Sequence, residues 1–226
     1  MKYNNTRRGV FVSRPNRFEA IVELDGEMVL CHVKNTGRCR ELLIQGVEVI
    51  LSPATNPARK TGYDLVGVYK GKELINIDSS APNKVIGEWL EKEELFKDIQ
   101  IIKPESKYKN SRFDFYLEAE KRKIYIEVKG VTLEENGVVM FPDAPTQRGV
   151  KHIMELLDAI ENGYEGYLIF VVQMKNALYF TPNSATHKEF AEALELAQKR
   201  GVGIYALACD VSEDEISISH FIPIKI

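Results

Sequence analysis

Arg112-Phe-Asp-Phe-Tyr-Leu-Glu-Ala-Glu-Lys-Arg-Lys-Ile-Tyr-Ile-Glu-Val-Lys129 is two alternating runs joined by the polar pair Glu120-Lys121. Side chains alternate across a strand. Phe113, Phe115 and Leu117 therefore share one face, with Asp114 and Tyr116 on the other. In the second run Ile124, Ile126 and Val128 share a face, opposite Tyr125, Glu127 and Lys129. A hairpin about Glu120-Lys121 sets residue n against residue 241 − n. Asp114 then lies opposite Glu127, and directly opposed residues have Cβ atoms about 4.5–5.5 Å apart. Lys129 follows on the same face. Two carboxylates that close repel each other unless a cation sits between them or one is protonated.

Carboxylate oxygens suit Mg²⁺ or Mn²⁺, with water and substrate phosphate completing the coordination. The backbone carbonyl of Val128 is a further oxygen donor in reach. A metal there polarises a phosphodiester and lowers the pKa of a water. Lys129 orients or deprotonates that water, or stabilises charge in the transition state. Asp114, Glu127 and Lys129 are the candidate catalytic residues. A Glu-x-Lys pair alone occurs on many solvated strands; the aspartate in register with it makes the chemical reading. Glu88, at the border of an apolar helix face, is a further candidate metal ligand, against its plain reading as a helix-surface glutamate.

Around this hairpin the second half alternates strand and helix. Strands are predicted at Ile99–Ile102, Val138–Phe141, Tyr167–Val172, Val202–Ala208 and Ile216–Ile222. Val85, Ile86, Trp89 and Leu90 recur at helical spacing, with Asn83 as candidate N-cap. A second helix carries Val150, Ile153, Met154, Leu157 and Ile160 and stops at Asn162-Gly163. A third spans Lys188–Arg200. This pattern predicts a mixed sheet with flanking helices.

The first half reads as β. Strands are predicted at Phe18–Leu24 and Met28–Val33 about Asp25-Gly26, then at Val47–Leu51, Leu65–Tyr69 and Leu74–Ile77, with a short helix at Gly37–Leu43. Five short strands point to a small OB-fold-like barrel. Ser79 to Asn83 is the candidate boundary, giving domains 1–80 and 81–226 and an α/β (α+β overall) chain with an interdomain cleft lined by both.

The chain has 226 residues and a net charge of −3. Residues 1–80 hold 12 Lys/Arg and 9 Asp/Glu, net +3, while the remainder is net −6, so the halves point to separate tasks. Met1 to Pro15 has no apolar core of a signal peptide, and no stretch reaches the ~18 apolar residues of a membrane span. The expected location is the cytoplasm. Cys31, Cys39 and Cys209 lack CxxC spacing and read as reduced thiols. Gly201-Val-Gly203 precedes a strand, not a helix, and is no dinucleotide fingerprint.

The candidate DNA contacts in the first half are Arg14, Arg17, Lys34, Arg38, Arg40, Arg59 and Lys60. Arginine matches phosphate as a bidentate fork. Phe11, Phe18 and Tyr63 are candidates for base stacking, with the core the favoured place for Phe18. In the second half Arg148, Lys151 and His152 lie on a polar helix face suited to phosphate. No recognition helix or finger is visible, so phosphate and shape contacts are expected over base readout.

Asp114 with Glu127-Val-Lys129 resembles the PD-(D/E)XK nuclease motif. The whole chain resembles the sugar fermentation stimulation protein A (SfsA) family. The matching signatures are Arg14-Pro-Asn-Arg-Phe18, Asn35-Thr-Gly-Arg38, Arg112-Phe-Asp114, Glu127-Val-Lys129, Phe141-Pro-Asp-Ala144 and Thr146-Gln-Arg-Gly149 with Lys151-His152. Val33-Lys34 departs from the Cys-Pro that the resemblance leads one to expect. The resemblance implies an OB-like domain, a restriction-endonuclease-like domain, DNA binding without strong sequence preference and a regulatory link to sugar utilisation. Two functions stay open. One is a Mg²⁺-dependent DNA nuclease; the other is a DNA-binding transcriptional regulator that keeps the nuclease fold without turnover. The oligomeric state is open, a homodimer included.

Overall fold

The computed structural model describes residues 1–35, 37–56 and 58–226. Strands β1 (Arg7–Ser13), β2 (Glu19–Leu24), β3 (Glu27–Val33), β4 (Glu48–Pro53), β5 (Tyr63–Lys70) and β6 (Glu73–Asn76) form one sheet. Its order is β3-β2-β1-β4-β5-β6, and a parallel β3–β5 pairing closes β1 to β5 into a barrel. Asp25 and Gly26 both have positive φ, 53° and 84°, as a tight hairpin turn between twisted strands requires. The barrel is OB-like, but its strands are not the five predicted. β1 takes part in closure and β6 is an outlying partner of β5. β1 escapes a reading by alternation because Gly9 supplies no side chain at a buried position; a Cβ there would lie 2.5 Å from Val22. Gly37–Leu43 forms turns instead of the predicted helix.

The second domain begins with helix α1 (Ala81–Leu90). Strands β7 (Ile99–Tyr108), β8 (Ser111–Ala119), β9 (Arg122–Val131), β12 (Glu165–Val172), β14 (Gly203–Val211) and β15 (Ile216–Phe221) form a mixed sheet ordered β15-β14-β12-β9-β8-β7. Strands β9, β12 and β14 are parallel; the outer pairs are antiparallel. A small sheet joins β10 (Leu133–Glu135), β11 (Val138–Phe141) and β13 (Tyr179–Pro182). Helices α2 (Gln147–Glu161) and α3 (Lys188–Lys199) complete the chain.

Helix α1 packs Val85, Ile86, Trp89 and Leu90 on one face of the mixed sheet, against Phe115, Leu117, Ile126 and Val128. Helices α2 and α3 cover the other face, where their apolar residues share one continuous core with the barrel. Met154, assigned to the α2 stripe by spacing, is instead 47% exposed. Phe11 is buried at 3% and Phe18 is 52% exposed, so the expected core phenylalanine is the free one.

Gln173 ties barrel to sheet. It is 2% exposed, and its Nε2 donates to the Asn76 carbonyl, Asn76 Oδ1 and the Asp78 carbonyl at 3.0, 2.9 and 3.1 Å. Asn76 N donates in return to the Gln173 carbonyl. A Cβ on Gly130 would meet Gln173 Oε1 at 2.6 Å and Pro82 at 2.8 Å, so the junction admits glycine alone. Among the described residues no helix is long and apolar enough to cross a membrane.

Gln173→Ala leaves buried acceptors without donors. It is expected to lower stability by about 2–3 kcal/mol, read as a lower midpoint in urea; an unchanged midpoint refutes the tie. Cys31, Cys39 and Cys209 are buried free thiols, each pushed up to about 12 by burial first. A disulfide reagent at mildly alkaline pH should therefore label none of them in the native protein and all of them in denaturant.

Candidate functional site

The hairpin of β8 and β9 has the predicted register. Every pair from Ala119↔Arg122 to Phe115↔Ile126 sums to 241. The ladder then stops one step before Asp114 and Glu127 would pair. Asp114 Oδ2 accepts the amide of Val128 at 2.7 Å, so a side chain takes a place that a strand carbonyl would fill. Its Oδ1 accepts from Asn83 Nδ2 of α1, also at 2.7 Å. Asn83 is therefore not the cap of α1, which falls at Ser80; it is the clamp on Asp114. At the same level of β7, Glu105 is left-handed with φ 49°. The distortion also breaks the alternation expected of β8. Phe115 stays under α1, while Phe113 crosses to the α2 side and packs on Tyr125 at 5.1 Å between ring centroids.

Glu127 is only 2% exposed and faces α2. Its Oε1 bonds both Lys129 Nζ and His152 Nδ1. Its Oε2 is buried without a partner among the described residues. Burial pushes the Glu127 carboxyl up, but the hydrogen bond from His152 and the charge of Lys129 outweigh it and hold it below the ordinary range. Asp114 goes the other way, raised by burial and by the charge of Glu127. Two neighbouring carboxylates are thus driven apart in acidity. Arg148 Nε approaches His152 Nε2 at 3.4 Å. With Nδ1 donating to Glu127, Nε2 is left to accept from Arg148.

Asp114, Glu127 and Lys129 do come together at the end of β9. Glu88 does not join them: it is exposed and pairs with the amino terminus of Met1 at 2.6 Å. His152 leaves the solvent face for the carboxylate because position 152 lies on the buried stripe of α2 with Gly149, Ile153 and Leu156. Among the described residues no three His, Cys, Asp or Glu side chains form a cluster sufficient to hold a metal alone. The donors at hand are the Asp114 carboxylate, the orphaned Glu127 oxygen and the Val128 carbonyl. This all-oxygen set fits a hard cation that keeps water and substrate in its shell.

One residue beyond Lys129 a cleft of about 380 Å³ opens between the domains. Arg17, Asn35 and Arg38 line it from the barrel, and Gly130, Phe141 and Asp143 line it from the other side. The remaining cations assigned to DNA differ in their freedom. Arg14 donates to the carbonyls of Arg17, Asn35, Gly37 and Arg38, which makes it a brace for two loops. Lys34 pairs with fully buried Asp78 at 2.8 Å, Arg59 with Asp64 at 2.7 Å and Lys60 with Glu19 at 3.1 Å. Arg17, Arg38 and Arg40 are exposed, and no ion pair involving them is found among the described residues. Lys151 is exposed beside Glu155.

The family model described as SfsA N-terminal OB domain matches residues 12–77. The one described as Sugar fermentation stimulation protein RE domain matches residues 80–215. A sugar fermentation stimulation protein homolog of Ruminiclostridium cellulolyticum is 57% identical over 226 residues, covering all of both chains. One from Desulfitobacterium hafniense is 60% identical, covering all of this chain and 99% of its own. The solved structure of Pyrococcus furiosus SfsA in complex with Ca²⁺ superposes with a TM-score of 0.91 at 30% identity, covering 100% of this chain and 98% of that one. The chain belongs to the sugar fermentation stimulation protein (SfsA) family.

Proposed function

We propose that the protein is a metal-dependent DNA phosphodiesterase with its reacting centre at Asp114, Glu127 and Lys129. The observation that carries this reading is the Glu127 carboxylate. It is buried, one oxygen is held by two donors, the other has no partner among the described residues, and its charge acts on a second carboxylate of opposite pKa shift. Evolution of a merely structural strand gives no reason to bury such an oxygen unpaired. A divalent cation held by Asp114, Glu127 and the Val128 carbonyl would supply Lewis-acid polarisation of the phosphodiester and a more acidic water. That a relative is described in complex with Ca²⁺ supports an oxygen-ligand site in this family.

The chain's own residues divide the remaining work. Asn83 and the Val128 amide fix Asp114 before any ligand arrives. His152 holds Glu127 by one oxygen and leaves the other without a partner among the described residues. Lys129, at 16% side-chain exposure, places a positive charge where negative charge develops on phosphate. The cleft beyond Lys129 offers Arg17 and Arg38 to the neighbouring phosphates.

The second reading is a DNA-binding regulator without turnover. It is favoured by the ion pair of Glu127 with Lys129, which balances the carboxylate's charge with no cation required.

Supercoiled, linear and single-stranded DNA incubated with Mg²⁺, Mn²⁺ or EDTA separate the two. Cutting with metal, reduced on the order of 10²-fold or more in Asp114→Asn and Glu127→Gln while DNA binding persists, is the expected result. Wild-type protein that binds DNA and never cuts it leaves the regulator. His152→Ala is expected to weaken Mn²⁺ binding about 10–100-fold, as removal of a ligand's hydrogen-bond partner does, with His152→Asn retaining more; titration followed by electron paramagnetic resonance reads this without turnover. Equal Mn²⁺ affinity in all three proteins removes His152 from the site.

A further inference from the structure

We infer that the barrel carries a single-strand subsite in which Arg17, Arg38 and Arg40 take successive phosphates and Phe18 stacks on a base. The inference rests on the nucleic-acid part of the proposed function and names the form of the substrate.

Four observations converge. A hollow of about 330 Å³ is lined by Arg14, Arg17, Arg38 and Arg40 with Asn16 and Leu43. It shares Arg17 and Arg38 with the interdomain cleft, so hollow and cleft are neighbours. The hollow is held in shape from beneath. Arg14 Nη1 donates to the Gly37 and Arg38 carbonyls at 2.9 and 2.6 Å, and Nη2 to those of Arg17 and Asn35 at 2.7 and 2.8 Å. One guanidinium thus locks both arginine-bearing loops, and its own Nε is buried without a partner among the described residues. Finally, Asn16 Oδ1 accepts the amides of Phe18 and Glu19 at 2.8 and 3.0 Å, a turn that leaves the Phe18 ring 52% exposed. Phe18 lines the adjoining hollow, which shares Asn16 with the first.

Arg7, Arg8, Arg59 and Lys60 of the same barrel each have a carboxylate partner. Arg17, Arg38 and Arg40 do not among the described residues, although the chain has an excess of acid. Unpaired arginines beside an exposed aromatic ring are the elements of single-strand binding: charge follows the backbone and the ring takes a base. Size points the same way. The cleft, at about 380 Å³, has the volume of a small-ligand pocket, roughly 300–1,000 Å³. It admits a nucleotide or two of one strand. A strand held at Arg17 and Arg38 enters the cleft that opens beside Lys129.

The test is fluorescence anisotropy with a labelled oligothymidylate and with a hairpin duplex of equal phosphate number, in EDTA, at several salt concentrations. The proteins are wild type, the triple variant R17Q/R38Q/R40Q and Phe18→Ala, each checked for an unchanged melting temperature; Arg14 is kept because it holds the loops. Wild type should bind the single strand more tightly than the duplex. The triple variant should lose at least about tenfold in affinity, and its salt slope should become shallower by about 2, from three contacts of roughly 0.7 each. Phe18→Ala should lose about tenfold with the salt slope kept. A triple variant with wild-type affinity and slope overturns the inference, as does a wild type that prefers the duplex or binds neither probe. Arginine-dependent binding by a protein that never cuts DNA leaves this subsite standing and sinks the nuclease reading. Cutting by a protein whose affinity ignores the arginines does the reverse.

Discussion

The hydrogen bond from the Val128 amide to Asp114 is the constraint on which the site depends. A buried amide must find an acceptor. Along most of β8 a strand carbonyl provides it, but at Val128 a carboxylate does. Three consequences follow from that exchange. The ladder ends, so β8 and β9 part at the level of Glu127. Phe113 changes face and fills the aromatic cluster of Tyr108 and Tyr125. Asp114 is set in place by protein donors, with Asn83 bonding its second oxygen. The carboxylate is therefore pre-organised, and ligand binding meets a formed site instead of ordering one.

Glu127 is placed by a different logic. It belongs to a central strand, paired on one side with β12 in register Glu127↔Leu168, so its backbone has little freedom. Its side chain points under α2, where it meets His152, three positions after Gly149, and, along β9 itself, Lys129. Gly149 is close enough to Thr146 and Phe190 that a Cβ would fall at 2.9 and 3.2 Å from them. Larger residues there would lift the first turn of α2 and carry His152 away. The motif Thr146-Gln-Arg-Gly149 thus acts on the site through helix placement.

Much of this was legible in the sequence, and the failures have physical reasons. Period-two alternation and the Glu120-Lys121 turn predict the β8–β9 register because a hairpin couples both strands through one short loop. The break at Asp114 was not legible, since alternation assumes that backbone groups satisfy each other. Asn83 has the composition of a cap, yet Pro82 already occupies the first turn and the side chain serves another element. His152 could have been placed by the spacing 149, 152, 153, 156, a stripe that the polarity of its neighbours obscured. β10 carried a hairpin signal in Asn136-Gly137, both left-handed with φ 52° and 83°. Phe18 looked like core by residue type; its exposure is set by the Asn16 turn. Glu88 illustrates the opposite hazard. It sits on the right helix, but its position about that helix turns it to the amino terminus.

Net charge is a poor guide to what this chain can bind. At −3 the molecule as a whole repels a polyanion, yet screening confines exposed charges to about a Debye length, ~8 Å at physiological salt. What an approaching charge meets is the local field, and that field is shaped by pairing. Acidic partners cancel most of the barrel's cations. The excess is left where Arg14 holds two loops by their carbonyls, which have no negative charge to give the neighbouring arginines. Had those loops been braced by an aspartate, the same geometry would have cost the hollow its charge. A brace that is itself cationic fixes the backbone and adds to the field, which is why the positive surface of an acidic protein lies beside its carboxylate site.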